Sequence, residues 1–233
     1  MPKLLIVTAV AAERDAVLRA MPGDAPAAGQ LAGLQVRRAA TPAGLVDVVA
    51  GGVGPVAAAL SAAALLAAAG YDLVISAGVA GGFPPAEVGG LVAAERVAFA
   101  DLGAELADGG FAGLPELGLG EVLIEADPAL ARLLAERAKA VTGTVLTVHT
   151  ATGSAARAER LRDAFPGAVA EAMEGAGVAM AAQRAGVRFG ELRGVSNLVG
   201  PRDRAGWQLG PALAALATGF ADVLAGPLTE GLT

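Results

Sequence analysis

Apolar residues along this chain gather into two kinds of run. Short, nearly continuous stretches such as "KLLIVT" at 3–8 and "DLVISAG" at 72–78 predict strands buried on both faces, because a half-exposed strand would alternate. Extended segments also fall at 34–40, 44–50, 91–100, 144–149 and 189–196. Longer stretches between them predict helices at about 11–21, 55–69, 128–140, 154–164, 173–185 and 209–225. Pro55 stands where the second of these opens, a position that tolerates proline because a first-turn N–H has no helical partner to lose. Strands that alternate with helices predict one α/β domain over 1–226, a mixed, mostly parallel twisted sheet flanked by helices. The tail at 227–233 is expected to fray.

Two segments need separate weighing. Residues 48–71 carry no charge and are long enough to cross a bilayer. However, "GGVGP" interrupts them and the remainder is mostly alanine, so strand, turn and helix are expected and no membrane partner. Residues 101–121, "DLGAELADGGFAGLPELGLGE", are rich in glycine and have little periodicity. A loop of that length in a compact domain is usually functional or covered by a partner.

Composition narrows the chemistry. The 233 residues are 55% hydrophobic but only 3% aromatic, so the core must be Ala, Val and Leu packed closely around glycines. Net charge is −6 with no Lys/Arg stripe, which disfavours a nucleic-acid partner. The absence of cysteine excludes disulfides and thiolate chemistry. A single histidine, His149, leaves multi-histidine metal sites and most Ser-His-Asp triads without parts, so neither metal nor cofactor is expected. No basic stretch precedes an apolar one at the N-terminus, and a cytoplasmic location is expected.

Ligands of such sheets sit beyond the carboxyl ends of the strands. Four motifs fall there: Glu13 after the first strand, "AGVAGG" at 77–82, "EAMEG" at 171–175 and "RGVSN" at 193–197. The stretch "GGVGPVA" at 51–57 contains G-x-G-x-x-A, but the acidic residue that a dinucleotide site needs after the next strand is missing, which favours a close-packed turn. Phosphate is disfavoured there too, because no Arg or Lys lies within 39–71. Glu174 opens a helix, where it either complements the helix dipole or accepts from the two hydroxyls of a ribose diol. Glu13 is either a surface charge beside Arg14 and Asp15 or a cleft carboxylate that orients water. "PRDRAGW" at 201–207 is either a solvated turn, with an Asp203 ion pair and a half-buried Trp207, or the wall of a pocket for an aromatic acid.

Taken in order, "LLIVTAVAAE", "GGVGPVAAAL", "VISAGVAGG", "AEAMEGAGVA" and "RGVSN" resemble the purine nucleosidase and phosphorylase superfamily over nearly the whole chain. The broad relatives are methylthioadenosine/S-adenosylhomocysteine nucleosidases, and the fuller string "GVSNLVGPRDRAGW" is similar to the futalosine hydrolase branch. The resemblance implies N-glycosidic hydrolysis, release of hypoxanthine from futalosine in an alternative menaquinone route, and a homodimer or higher homo-oligomer whose 101–121 loop covers a neighbour's pocket. Phosphorolysis, the adenine-directed reaction and non-catalytic nucleoside binding are the alternatives. It also implies roles for residues. Glu13 and Arg193 would hold the attacking water, Glu174 would grip the ribose above Met173, and Gly78 and Gly81 would lie near base and sugar. Ser196 and Asn197 would meet the base, and Arg202, Arg204 or Trp207 the far end of the substrate. Val79 stands where the nucleosidases carry serine.

Asn197 stands where the adenine-directed relatives carry aspartate. Adenine offers an amino donor beside N7, which a protonated carboxyl matches. Hypoxanthine offers a carbonyl, which a carboxylate would repel. A carboxamide donates to that carbonyl while its oxygen meets a proton on N7. Asn197 therefore predicts a 6-oxopurine leaving group, against the plain alternative of a turn residue before Gly200 and Pro201.

Overall fold

The computed structural model describes residues 1–21 and 26–228, the side chain of Arg204 excepted. The first half runs β1 (Lys3–Thr8), α1 (Ala11–Arg19), β2 (Ala27–Leu31), β3 (Leu34–Thr41), β4 (Gly44–Ala50), α2 (Pro55–Ala68), β5 (Leu73–Gly82) and β6 (Leu91–Phe99). Three short strands follow, β7 (Gly103–Glu105), β8 (Phe111–Gly113) and β9 (Leu123–Glu125), and then α3 (Pro128–Ala138). The chain continues through β10 (Val141–Thr147), α4 (Ala155–Ala164), β11 (Ala168–Ala172), α5 (Gly175–Ala185), β12 (Arg188–Leu198) and α6 (Leu209–Leu224).

The main sheet is ordered β11-β10-β6-β12-β5-β1-β4-β3-β2, with β9 added on β6. β1 pairs in parallel with β4 and β5, β5 with β12, β6 with β10, and β10 with β11. The β2–β3, β3–β4, β6–β9, β6–β12 and β5–β11 pairs are antiparallel, so the sheet is mixed, and its longer ladders are parallel. The β5–β11 pair joins the two ends of the β11-β10-β6-β12-β5 run into a ring. β5 manages this with its last residues, Gly81 and Gly82, which meet Glu171 and Ala170 of β11. A bulge between Val195 and Asn197 bends β12 beside them.

Helices cover both faces. On one, Ala58, Ala62 and Leu65 of α2 and Ala179 and Ala182 of α5 pack on Val7, Val49, Val74 and Val145. On the other, Val17 of α1, Leu130 and Leu134 of α3 and Leu216 and Phe220 of α6 pack on Ile6, Val48, Ile75 and Leu192. A third cluster joins Ala158 and Leu161 of α4 to Phe83, Leu146 and Val148. With few aromatic rings available, close approach replaces bulk. α5 lies so near the start of α2 that a methyl at Gly177 would run into the Pro55 carbonyl. Among the described residues, no helix is long and apolar enough to cross a membrane, and the charge-free 48–71 stretch is strand, turn and helix as expected.

Some expectations need correction. The 101–121 stretch is not wholly loop, since β7 and β8 form a small hairpin within it. The tail does not fray at once after Gly226. Arg137 of α3 donates to the carbonyls of Val223, Gly226 and Pro227, each at 2.9 Å, and Leu228 is fully buried. These bonds satisfy carbonyls that the end of α6 leaves open. Residues 229–233 lie outside the described residues.

Gly177→Ala is expected to destabilise the protein by about 1–3 kcal/mol, the usual cost of forcing a methyl into a packed contact, as read by denaturant unfolding.

Candidate active site

The site is built from the carboxyl-end halves of β5 and β12. Residues two apart on a strand share a face, which puts Glu191 and Arg193 together, and Ser76 and Gly78 of β5 are their register partners. Arg193 is fully buried. Its Nε donates to Glu191 Oε1 at 2.6 Å, its Nη1 to Glu174 Oε2 at 3.1 Å and its Nη2 to Ser76 Oγ at 2.9 Å. Burial would lower the pKa of this guanidinium, but the charges of Glu191, Glu174 and Glu13 outweigh that and hold it above the ordinary value. Burial pushes the Glu191 carboxyl up, Arg193 opposes the shift, and Glu174 adds to it. Among the described residues, Glu191 Oε2 finds no hydrogen-bond partner.

Glu13 arrives from the first turn of α1. Its Oε2 accepts from the backbone N–H groups of Ala9 at 2.9 Å and Val10 at 3.2 Å, which ties it to the helix entry. Its Oε1 accepts from the Val79 N–H at 2.9 Å. Glu13 is therefore buried and turned toward β5, and the surface-charge alternative is excluded. Val79 serves through its backbone, so the missing serine hydroxyl leaves a main-chain donor at this place. A Cβ on Gly78 would lie 2.5 Å from Glu13 Oε1 and 2.7 Å from Arg193 Nη1. The absent side chain thus lets an acceptor, Glu13, and a donor, Arg193, both close on the backbone at Gly78.

Glu174 stands between β11 and α5, yet its side chain makes no bond to its own helix. Its Oε1 instead accepts from the Gly54 N–H at 3.1 Å. The "GGVGP" turn thus binds an anion after all, and that anion is the protein's own carboxylate. Gly52 and Gly54 take φ values of +100° and +89°, which the turn needs and side chains resist.

The base end lies further along the same strands. Ser196 Oγ is 2.8 Å from Asn197 Oδ1 and 3.2 Å from the Ala80 carbonyl, and its one proton serves these acceptors in turn. Asn197 Nδ2 donates to the Leu198 carbonyl at 3.0 Å and lies 3.3 Å from where a Cβ on Gly81 would stand. Met173, the residue before Glu174, packs on the cluster that contains Phe83, as does Val199. The Arg202 guanidinium stacks 5.4 Å from the Trp207 ring centre, and Asp203 accepts from the Ala205 N–H at 3.1 Å. The side chain of Arg204 lies outside the described residues.

The structure thus brings Glu13, Arg193, Glu174 and Gly78 together, and sets Ser196, Asn197 and Gly81 beside one another. Sequence reasoning passed over Ser76, Glu191 and Glu171. Glu171 is buried, accepts from the Thr152 N–H at 2.8 Å and from its hydroxyl, and has its pKa pushed up by burial against the pull of those bonds. The available signal was a charged residue inside an apolar strand, "FGELRGV" in one case and "AVAEA" in the other.

Residues 3–222 match the phosphorylase superfamily. The chain is 53% identical to the futalosine hydrolase of Streptomyces coelicolor, over 91% of each chain. It is 47% identical to that of Acidothermus cellulolyticus, over 98% of this chain and 93% of the relative. A crystal structure of the 5'-methylthioadenosine/S-adenosylhomocysteine nucleosidase of Helicobacter pylori shares the fold, with a TM-score of 0.84 at 23% identity over 96% of this chain and 97% of that one. The chain belongs to the phosphorylase superfamily and, within it, to the family of the futalosine hydrolases.

Proposed function

We propose that this protein hydrolyses the N-glycosidic bond of futalosine and releases hypoxanthine. The observation that carries the reading is the convergence of Glu13, Arg193 and Glu174 around Gly78, in a chain 53% identical to a futalosine hydrolase. As the bond between the sugar carbon and the base nitrogen breaks, positive charge grows on the ribose ring and negative charge on the purine. Water held by Glu13 donates to its carboxylate, attacks the anomeric carbon and passes a proton to that carboxylate. Glu174, aligned by Arg193 and the Gly54 N–H, accepts from the ribose hydroxyls. Glu13, Glu174 and Glu191 together outnumber the one guanidinium they surround, and this local excess of negative charge favours a sugar cation. Asn197 donates to the purine carbonyl and cannot act as a strong acid, so the base leaves as a hydrogen-bonded group that takes its proton from solvent. The adenine-directed reading is not favoured, because the relatives at 53% and 47% identity are both futalosine hydrolases.

A homodimer is the assembly its surface supports. Val53, Val56 and Leu60 form an exposed apolar face around the start of α2, and Leu106, Phe111 and Leu119 are exposed in the 101–121 stretch.

Incubation with futalosine should release free hypoxanthine without added phosphate, and Glu13→Gln should lower kcat about 10²-fold or more with little change in KM. Dependence on phosphate would point to phosphorolysis instead. Asn197→Asp should cut kcat/KM for futalosine at least about 10-fold and raise relative use of the 6-amino analogue. Val56→Glu combined with Leu60→Glu should convert a dimer to a monomer in sedimentation, and a wild-type monomer at working concentration would exclude the assembly.

A further inference from the structure

Glu191 leaves one carboxylate oxygen unmatched at the centre of the site. The Glu191 and Arg193 side chains are wholly withdrawn from solvent, whereas Glu174 keeps 7% of its side chain exposed. A ligand therefore meets Glu174 and not Glu191, and whatever Glu191 does it does through Arg193. The Nε and Nη2 hydrogens of a guanidinium lie along one edge, and a carboxylate that faces this edge squarely takes both. Arg38 shows that arrangement elsewhere in the chain: its Nε donates to Asp47 Oδ1 at 2.6 Å and its Nη2 to Asp47 Oδ2 at 2.7 Å. On Arg193 the same edge is divided. Nε donates to Glu191 Oε1 at 2.6 Å, but Nη2 donates to Ser76 Oγ at 2.9 Å. The serine stands at the second prong of the fork, and Glu191 Oε2 is left without a partner among the described residues. Gly175 gives the carboxylate its room, since a Cβ there would overlap both of its oxygens.

We propose that Glu191 is a positioning residue for the ribose clasp: it bears the counter-charge of Arg193 along the Nε edge and so spares Glu174 for the sugar. The inference rests on the nucleoside hydrolase reading given above and names what keeps its ribose-binding carboxylate available. With Glu191 and Ser76 on the Nε–Nη2 edge, Arg193 reaches Glu174 through Nη1 alone, at 3.1 Å from Oε2. Oε1 of Glu174 takes the Gly54 N–H, also at 3.1 Å. Each oxygen of a carboxylate accepts about two hydrogen bonds, so one place is left on each. A vacant acceptor on either oxygen matches the adjacent hydroxyls of a ribose. Without the Glu191 charge, Glu174 would be the sole carboxylate bonded to the guanidinium, and the opened edge would let the arginine turn toward it. A forked pair of the Arg38–Asp47 kind would occupy both oxygens of Glu174 and weaken them as acceptors. Glu191 and Glu174 thus divide the work: one balances the buried cation, and the other holds the sugar.

The test compares kcat and KM for futalosine and for its 2'-deoxy analogue, which lacks one of the hydroxyls that Glu174 accepts. Glu191→Gln keeps the shape of the side chain and an acceptor for Nε but removes the charge. It should lower kcat/KM for futalosine at least about 10-fold more than for the deoxy analogue, so that the preference for the ribose form shrinks by that factor. If Glu191 only balances charge and supports the fold, the variant slows both substrates equally or melts earlier with the preference unchanged, and either result overturns the inference. Ser76→Ala opens the other half of the same edge without altering charge and should shrink the preference about 3-fold. An unchanged preference in Ser76→Ala overturns the inference whether or not Glu191→Gln folds. Failure of the proposed reaction shows separately, as absence of hypoxanthine release by wild-type protein. The two nucleosides are then compared by calorimetric binding, with the same shrinkage of preference expected in both variants.

Discussion

The buried guanidinium of Arg193 is the constraint around which the rest of the site is arranged. Removing such a charge from water costs several kcal/mol unless every donor finds an acceptor and a counter-charge stands close. Glu191, Glu174 and Ser76 meet that demand on its three nitrogens. Two glycines follow from it. A Cβ on Gly175 would overlap the Glu191 carboxylate, and one on Gly78 would crowd both Arg193 and Glu13. Small residues here are the space that a buried ion network occupies. Because the arginine is fixed from three sides, Glu174 is fixed as well, and a carboxylate that does not move is well placed to orient a sugar.

The same network explains a turn that looks like a nucleotide-binding loop and is not one. In "GGVGP" the Gly54 N–H points at Glu174 from elsewhere in the chain. An anion site filled by the protein's own carboxylate has no room for phosphate, and the lack of Arg and Lys in 39–71 accords with that. The turn thus fixes Glu174, the carboxylate to which the proposed reaction gives the ribose. The ring closure of β5 onto β11 then sets the base end against the sugar end, since Gly78 and Gly81 of one strand serve both.

Much of the fold was legible because its main elements are long and strongly apolar. The six helices and the strands at 3–8, 34–40, 44–50 and 189–196 match the structure to within about two residues. β2, β7, β8, β9 and β11 were not, because they are short, and exposed or rich in alanine and glycine, and their pairing partners rather than their composition make them strands. The site was legible by likeness more than by local pattern. Glu13 beside Arg14 and Asp15 reads as a helix-surface charge, but the Ala9 and Val10 amides at the helix entry and the Val79 amide, 66 positions away, hold it inward. Glu191 and Glu171 announced themselves as charges inside apolar strands, but what they bind is set by residues on other strands and loops. The order of residues 227 and 228 was hidden for the same reason: Arg137, which donates to the Pro227 carbonyl, belongs to α3.

The amide at 197 acquires its direction from its neighbour. With the Ser196 hydroxyl 2.8 Å from Oδ1, the oxygen end of the carboxamide is marked as acceptor and the nitrogen end as donor. Nδ2 has two hydrogens and the Leu198 carbonyl takes one, so one remains for a ligand. A carboxylate at this position would have no hydrogen to give, and a carbonyl brought to it would meet a lone pair instead of a donor. Ser196 therefore matters as much as the amide itself, because its hydroxyl occupies the oxygen end of the carboxamide and leaves the nitrogen end to donate.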